Sequence, residues 1–207
     1  MNEEKKENKL RRVAEFIDML ELNRDDVIMF LSESSQSKEV YSLDNYVQIK
    51  EGMIWYEDDT FSFDLIHNKK IKAVVELVEN GIIYGNLAAS DLCSIPTKNL
   101  MSWYNAKDLI SRSETGIGNF VQSYSCNKNE KIVWYNLEQL KKVYKKQFII
   151  KNTFKMLQKE YYCGNYWSST ELNRILAWGL NFETGYPGYA LKNILHHVPM
   201  MLALKVE

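Results

Sequence analysis

Several things are scarce in this chain of 207 residues. No sign of charge is in excess: 26 basic side chains face 27 acidic ones, so no broad positive field exists to condense on phosphate. That argues against nucleic acid as a partner. No uninterrupted apolar run is long enough to cross a bilayer, so no membrane insertion is expected. Met1 to Leu10 alternates Glu and Lys and lacks the apolar core of a secretory signal, which predicts a cytoplasmic or phage-particle setting. Cysteine is sparse: Cys93, Cys126 and Cys163 are an odd number without a C-x-x-C pair, which fits neither a disulfide framework nor a zinc clip and predicts reduced, partly buried thiols. There is also no Asn-x-Ser/Thr sequon, and nothing is of low complexity.

Catalytic and metal signatures are equally thin. His196-His197 is the only histidine pair, and neighbours on a strand point to opposite faces, so they cannot readily share a metal. His67 stands alone. The acidic triplet Glu57-Asp58-Asp59 reads as a solvated hairpin tip rather than a cation loop, because no further oxygen ligands follow at loop spacing. No Gly-x-Ser-x-Gly elbow is present. Gly116-Ile117-Gly118 lacks the preceding strand and following helix that a phosphate cradle needs. No cofactor, no metal and no enzymatic activity are expected.

What is present is a globular composition, 45% apolar and 26% charged, in a chain long enough to bury a substantial core. Leu10, Val13, Ile17 and Leu20 fall on one helical face. Asn23 can cap a second helix carrying Val27, Phe30 and Leu31, so residues 1–40 read as a helical hairpin able to mediate homo-oligomerisation. A DNA-reading helix-turn-helix is disfavoured there, since acids outnumber bases between Met1 and Asp26. From Tyr46 the period becomes two. Val47 and Ile49, Ile54 and Tyr56, then Phe61 and Phe63 predict short strands in a β-rich segment, 41–69.

Residues 70–207 read as the main domain. Ile71–Val78 and Ile82–Leu87 flank Asn80-Gly81, the strongest local hairpin signal in the chain. Trp103–Ile110 and Asn136–Lys146 predict amphipathic helices, the second capped by Asn136, and Phe154–Tyr162 a third short one. Strands then return at Tyr166–Ser169, Ile175–Phe182 and His197–Val206, with a long polar and aromatic excursion at Tyr186–His196. This order predicts an α+β fold with antiparallel pairing.

Trp103-Tyr104-Asn105-Ala106-Lys107, Trp134-Tyr135-Asn136-Leu137-Glu138-Gln139-Leu140, Tyr166-Trp167-Ser168-Ser169-Thr170-Glu171, Ala177-Trp178, Phe182-Glu183-Thr184-Gly185 and Lys192 resemble, in order, the landmarks of the Lcl carboxy-terminal domain family. The resemblance covers roughly residues 70 to 207 and implies a C-type-lectin-like fold. Trp167 and Trp178 would pin the small sheet, while Ser168, Ser169 and Thr170 would hold the loop backbone. The chain departs from the family in two ways: it closes with Val198-Pro199-Met200-Met201 rather than an arginine-containing strand, and it shows no export signal.

Some similar members are variable proteins of diversity-generating retroelements, in which template adenines are mutated and an AAC codon can become any codon ending in C. Such codons never encode Lys, Glu, Gln, Met or Trp. Leu172–Leu176, Tyr186–Leu191 and Asn193–His197 contain none of these five, and Lys192 stands alone between two such blocks. An ordinary Tyr- and Asn-rich loop fits the same stretch equally well.

The expectation is therefore a non-enzymatic binding protein whose ligand is another protein. It would be contacted by Asn173, Arg174, Ile175, Tyr186, Tyr189, Leu191, Asn193, Leu195 and His196, with Arg174, Tyr186 and Tyr189 as hot spots. Two other readings remain open: a cytoplasmic or phage-derived assembly protein, and a redox enzyme using Cys126 and Cys163.

Overall fold

A turn with positive φ at both central residues lets two β-branched runs fold back on each other, and Asn80 (φ 52°) with Gly81 (φ 72°) supplies it. The hairpin so formed, β4 (Ile71–Glu79) and β5 (Ile82–Asn86), is the centre of the computed structural model, which describes residues 40–92, 100–114, 129–199 and 201–206. The helical hairpin expected at 1–40 lies outside the described residues apart from Val40, as do Gly116–Gly118, Cys93 and Cys126.

Val40–Glu207 is one compact unit of mixed α+β class with mostly antiparallel sheets. Before the central hairpin come β1 (Tyr41–Ser42), a 3-10 helix (Leu43–Gln48), β2 (Ile54–Tyr56) and β3 (Thr60–Ser62). After it come a 3-10 turn (Leu87–Ala89), β6 (Leu100–Met101), α1 (Trp103–Glu114), β7 (Glu130–Val133) and α2 (Leu137–Met156). The chain closes with β8 (Asn165–Glu171), β9 (Leu176–Asn181), β10 (Pro187–Leu191), β11 (His196–His197) and β12 (Met201–Lys205). The larger sheet runs β1-β3-β2-β4-β5-β12-β7, so the 41–69 segment pairs directly into the sheet of the main domain; the smaller runs β10-β9-β8-β11-β6.

Local signals place the helices. Asn136 accepts from the Gln139 N–H at 2.9 Å and Gln139 Oε1 accepts from the Asn136 N–H, a reciprocal cap at the start of α2. The third helix expected at Phe154–Tyr162 does not form: Phe154 belongs to the last turns of α2, and left-handed Gln158 (φ 54°) stops the helix. Val47 sits in a 3-10 turn rather than a strand.

The expected strand His197–Val206 is two strands in different sheets, with Val198 and Pro199 making the crossing; proline has no N–H to give a ladder. Tyr186–His196 likewise holds a strand, β10, in place of an irregular excursion.

Three apolar clusters share β4, the smallest grouping Ile71 with Ile54 and Tyr56. Val75 packs with Trp55, Phe61, Trp103 and Trp167, while Val74 packs with Leu140, Val143, Ile150, Tyr166 and Phe182 beside α2. Covered on both faces, β4 nevertheless carries two buried ionisable side chains, Lys72 and Glu76. Lys72 donates to Asp59 and Glu130 at 2.5 and 2.8 Å and lies over the Trp55 ring. The Glu57–Asp59 tip is thus not simply solvated: Asp59 also accepts from the Trp55 indole at 2.8 Å.

Candidate functional site

The irregular part of β8 is held by indole N–H groups. Trp103 Nε1 donates to the Ser168 carbonyl at 2.8 Å, Trp134 Nε1 to the Trp167 carbonyl at 3.0 Å, and Trp167 Nε1 to the Met101 carbonyl at 3.2 Å. Ser168 Oγ donates to the Trp178 carbonyl, and Thr170 Oγ1 accepts the first free N–H of α2, that of Leu137. A strand that would otherwise carry unsatisfied carbonyls across a register shift is therefore rigid. The expected role of Ser168 and Thr170 holds.

From this support projects the β9–β10 hairpin with a turn at each end. At one end lie Leu172–Ile175 and Lys192–Leu195. Asn173 Oδ1 accepts from the N–H groups of Ile175 and Leu176, both at 2.9 Å, closing the first turn. Lys192 joins the two. Its N–H donates to the Ile175 carbonyl and its own carbonyl accepts from the Trp103 N–H, both at 2.9 Å. Its ammonium meets Glu171 at 2.5 Å and lies 4.4 Å from the Trp103 ring centroid. With 2% of its surface exposed, Lys192 is a post, not a contact, and this physical role sets it apart from the blocks on either side. Hydrogen bonds from Lys192, then Lys107, hold the Glu171 carboxyl below its usual pKa range.

The nominated residues divide. Asn173, Arg174, Ile175, Leu191, Asn193 and Leu195 are exposed at or beside the Lys192 end. Tyr186, the most exposed at 76%, caps the opposite end, roughly 17 Å along the strands. Tyr189 (60%) lies midway and meets Trp178 edge-on at 5.4 Å. Two of the nominated residues are less open than the rest. Asn173 spends its side-chain carbonyl on its own turn, and His196 is half-buried, its ring 4.4 Å from that of Trp167, rather than presented on an open loop. Burial lowers the His196 pKa, which favours the neutral imidazole. His197 faces the other way, stacked on Tyr166. Trp178 also departs from expectation: alternation along β9 buries Ala177 and leaves Trp178 half-exposed beside Tyr189, so of this pair Trp167 alone is buried framework.

A furrow of about 310 Å³ was not foreseen. Gly179 of β9 lies opposite both Trp167 of β8 and Gly188 of β10, so two adjoining strands lack side chains beside a buried indole. Asn165, Asn181, Tyr186 and His196 complete its rim. The signal was legible in principle, because a turn at Thr184-Gly185 puts Gly179 and Gly188 in register. At Gly179 a Cβ would lie 2.6 Å from the Tyr166 carbonyl, whereas at Gly188 it would meet nothing within 4 Å.

Elsewhere, Cys163 is exposed, against the expectation of partly buried thiols. Among the described residues no group of His, Cys, Asp or Glu could hold a metal ion, and no helix is long and apolar enough to cross a membrane. No family model matches the chain, and no curated protein does.

Proposed function

We propose that this chain is a non-enzymatic binding protein that presents the β9–β10 hairpin and its end turns to a protein ligand, on a C-type-lectin-like scaffold resembling the Lcl carboxy-terminal domain family. One observation carries the reading. Seven of the eleven exposed large apolar side chains among the described residues fall between Leu172 and Leu195, on backbone fixed by Lys192 and the tryptophan clamps. A monomer gains nothing from holding Ile175, Tyr189 and Leu195 in water, and large aromatics on a rigid frame supply contact area at low entropic cost.

The test is a triple variant, Arg174→Ala with Tyr186→Ala and Tyr189→Ala. Hot-spot truncations remove about 2 kcal/mol or more each, so capture of the protein ligand by the full chain should disappear while the melting temperature stays put. A melting temperature that collapses would return these residues to the fold. If the surface is also diversified, the codons of Leu172–Leu176 and Tyr186–His197, Lys192 excepted, end in C beside a near-copy rich in AAC. Scattered third bases would remove that element alone.

A further inference from the structure

Among the described residues, strand β10 has neighbours on one side only. The Asn181 N–H donates to the Tyr186 carbonyl at 3.1 Å and the Lys192 N–H to the Ile175 carbonyl at 2.9 Å, so even-numbered residues of β10 turn their backbone toward β9. The Tyr189 N–H and carbonyl, the Leu191 N–H and the Pro187 carbonyl therefore point away from the sheet. Pro187 occupies a position where its missing N–H costs no ladder bond. Natural sheets blunt such an edge with charge, with proline or by keeping it short; β10, Pro-Gly-Tyr-Ala-Leu, has a proline at its first residue but no charge, so the edge from Gly188 to Leu191 is open.

The geometry points to strand addition: the free edge of β10 takes an extended, uncharged segment of a partner protein, whose residue opposite Gly188 lays a large apolar side chain into the furrow. This deepens the binding reading and rests on it. In an antiparallel pair the residue facing Gly188 is a neighbour on the same face at about 5 Å, and that face holds Trp167 and Gly179. The furrow's rim of Asn165, Asn181, Tyr186 and neutral His196 carries no formal charge to match an ionic side chain. A second copy of this chain is the poorer occupant. Two β10 edges paired antiparallel through Pro187, Tyr189 and Leu191 would set Gly188, Ala190 or Lys192 of the other copy opposite Gly188; the first two are too small to fill the furrow, and the lysine is locked on Glu171 and Trp103.

The probe is a short peptide alternating threonine and valine around a central tryptophan, titrated into the full chain and followed by the amide resonances of Tyr189 and Leu191. Those resonances should shift. Replacing the central tryptophan by alanine, methylating the peptide amides that face β10, or making Gly188→Val should each weaken binding by about tenfold or more, or about 1.4 kcal/mol. If Gly188→Val melts early, the methylated peptide decides.

Equal binding by the methylated or the alanine peptide overturns the inference. So does no shift at any peptide concentration. A concentration-dependent dimer through β10 that the peptide does not compete away overturns it in favour of self-pairing. Loss of the protein ligand in the triple variant alongside a silent peptide rejects strand addition and leaves the binding reading standing. Peptide arms as expected with the ligand retained by the triple variant reject those three hot spots instead.

Discussion

Strands β4 and β10 both set apolar residues between turn residues, and they have opposite fates. In β4, every residue from Ile71 to Leu77 is buried, Lys72 and Glu76 included; in β10, every residue but Ala190 is exposed, Tyr189 and Leu191 included. Position in the sheet, rather than hydrophobicity, separates them. β4 has a neighbour on either side and a cluster on each face, while β10 ends its sheet. A central strand can afford charge only where partners are built around it, whereas an edge can leave apolar surface in water if something else is to cover it.

The contrast breaks most visibly on the framework side. Trp167 is wholly buried between the sheets and donates to Met101, so Trp167→Ala should cost about 3–5 kcal/mol and lower the melting temperature steeply in a calorimeter. A small change there would mean that the furrow floor is not structural.

Next comes the buried carboxyl of β4. Glu76 accepts from Asn86 Nδ2 at 2.8 Å and from the Tyr162 hydroxyl at 2.9 Å, but burial dominates and pushes its pKa from 4.5 up to about 8. The folded state therefore binds a proton that the unfolded chain has already released. Stability from this group is fully present below pH 4.5 and falls as pH rises toward 8. At about 1.4 kcal/mol per unit the loss is a few kcal/mol. Glu76→Gln should flatten the dependence of melting temperature on pH across that window and raise stability at its upper end. An unchanged slope would show that Glu76 is not the titrating group.

The smallest effect lies at the joint between the two regions. Lys192→Ala keeps the backbone bonds to Ile175 and Trp103 and leaves Glu171 free to be rehydrated, but removes the ammonium that holds Glu171 and the Arg174 carbonyl beneath the Leu172–Ile175 turn. A loss of about 2 kcal/mol is expected, together with faster amide exchange at Ile175 and Leu176, the residues beside its contacts. Exchange unchanged at those amides would mean that the turns hold themselves, and that Lys192 does not divide support from surface.

Local chemistry was readable in advance. Asn80-Gly81 requires positive φ wherever it sits, and Asn136 with Gln139 satisfies the N–H groups of its own helix whatever packs above it. The same holds for the α+β class and the helix at Trp103. What could not be read depends on residues distant in sequence. Lys72 looks like a surface residue until Glu130 and Asp59 arrive; Trp178 looks like core until β10 proves to be an edge. The candidate surface was legible as a stretch of chain, but its division into two ends was not; the furrow's two glycines could be aligned from the Thr184-Gly185 turn, while the buried Trp167 beside them could not.

The amino-acid sequence by itself determined the turns, the caps and the alternating apolar runs, because those interactions close over a few residues. Only the tertiary structure decided which run became the middle of a sheet and which its border, since that depends on strand pairs that join Val74 to Asn86, Met201 to Val133 and Trp167 to Gly179, and burial follows from the pairing.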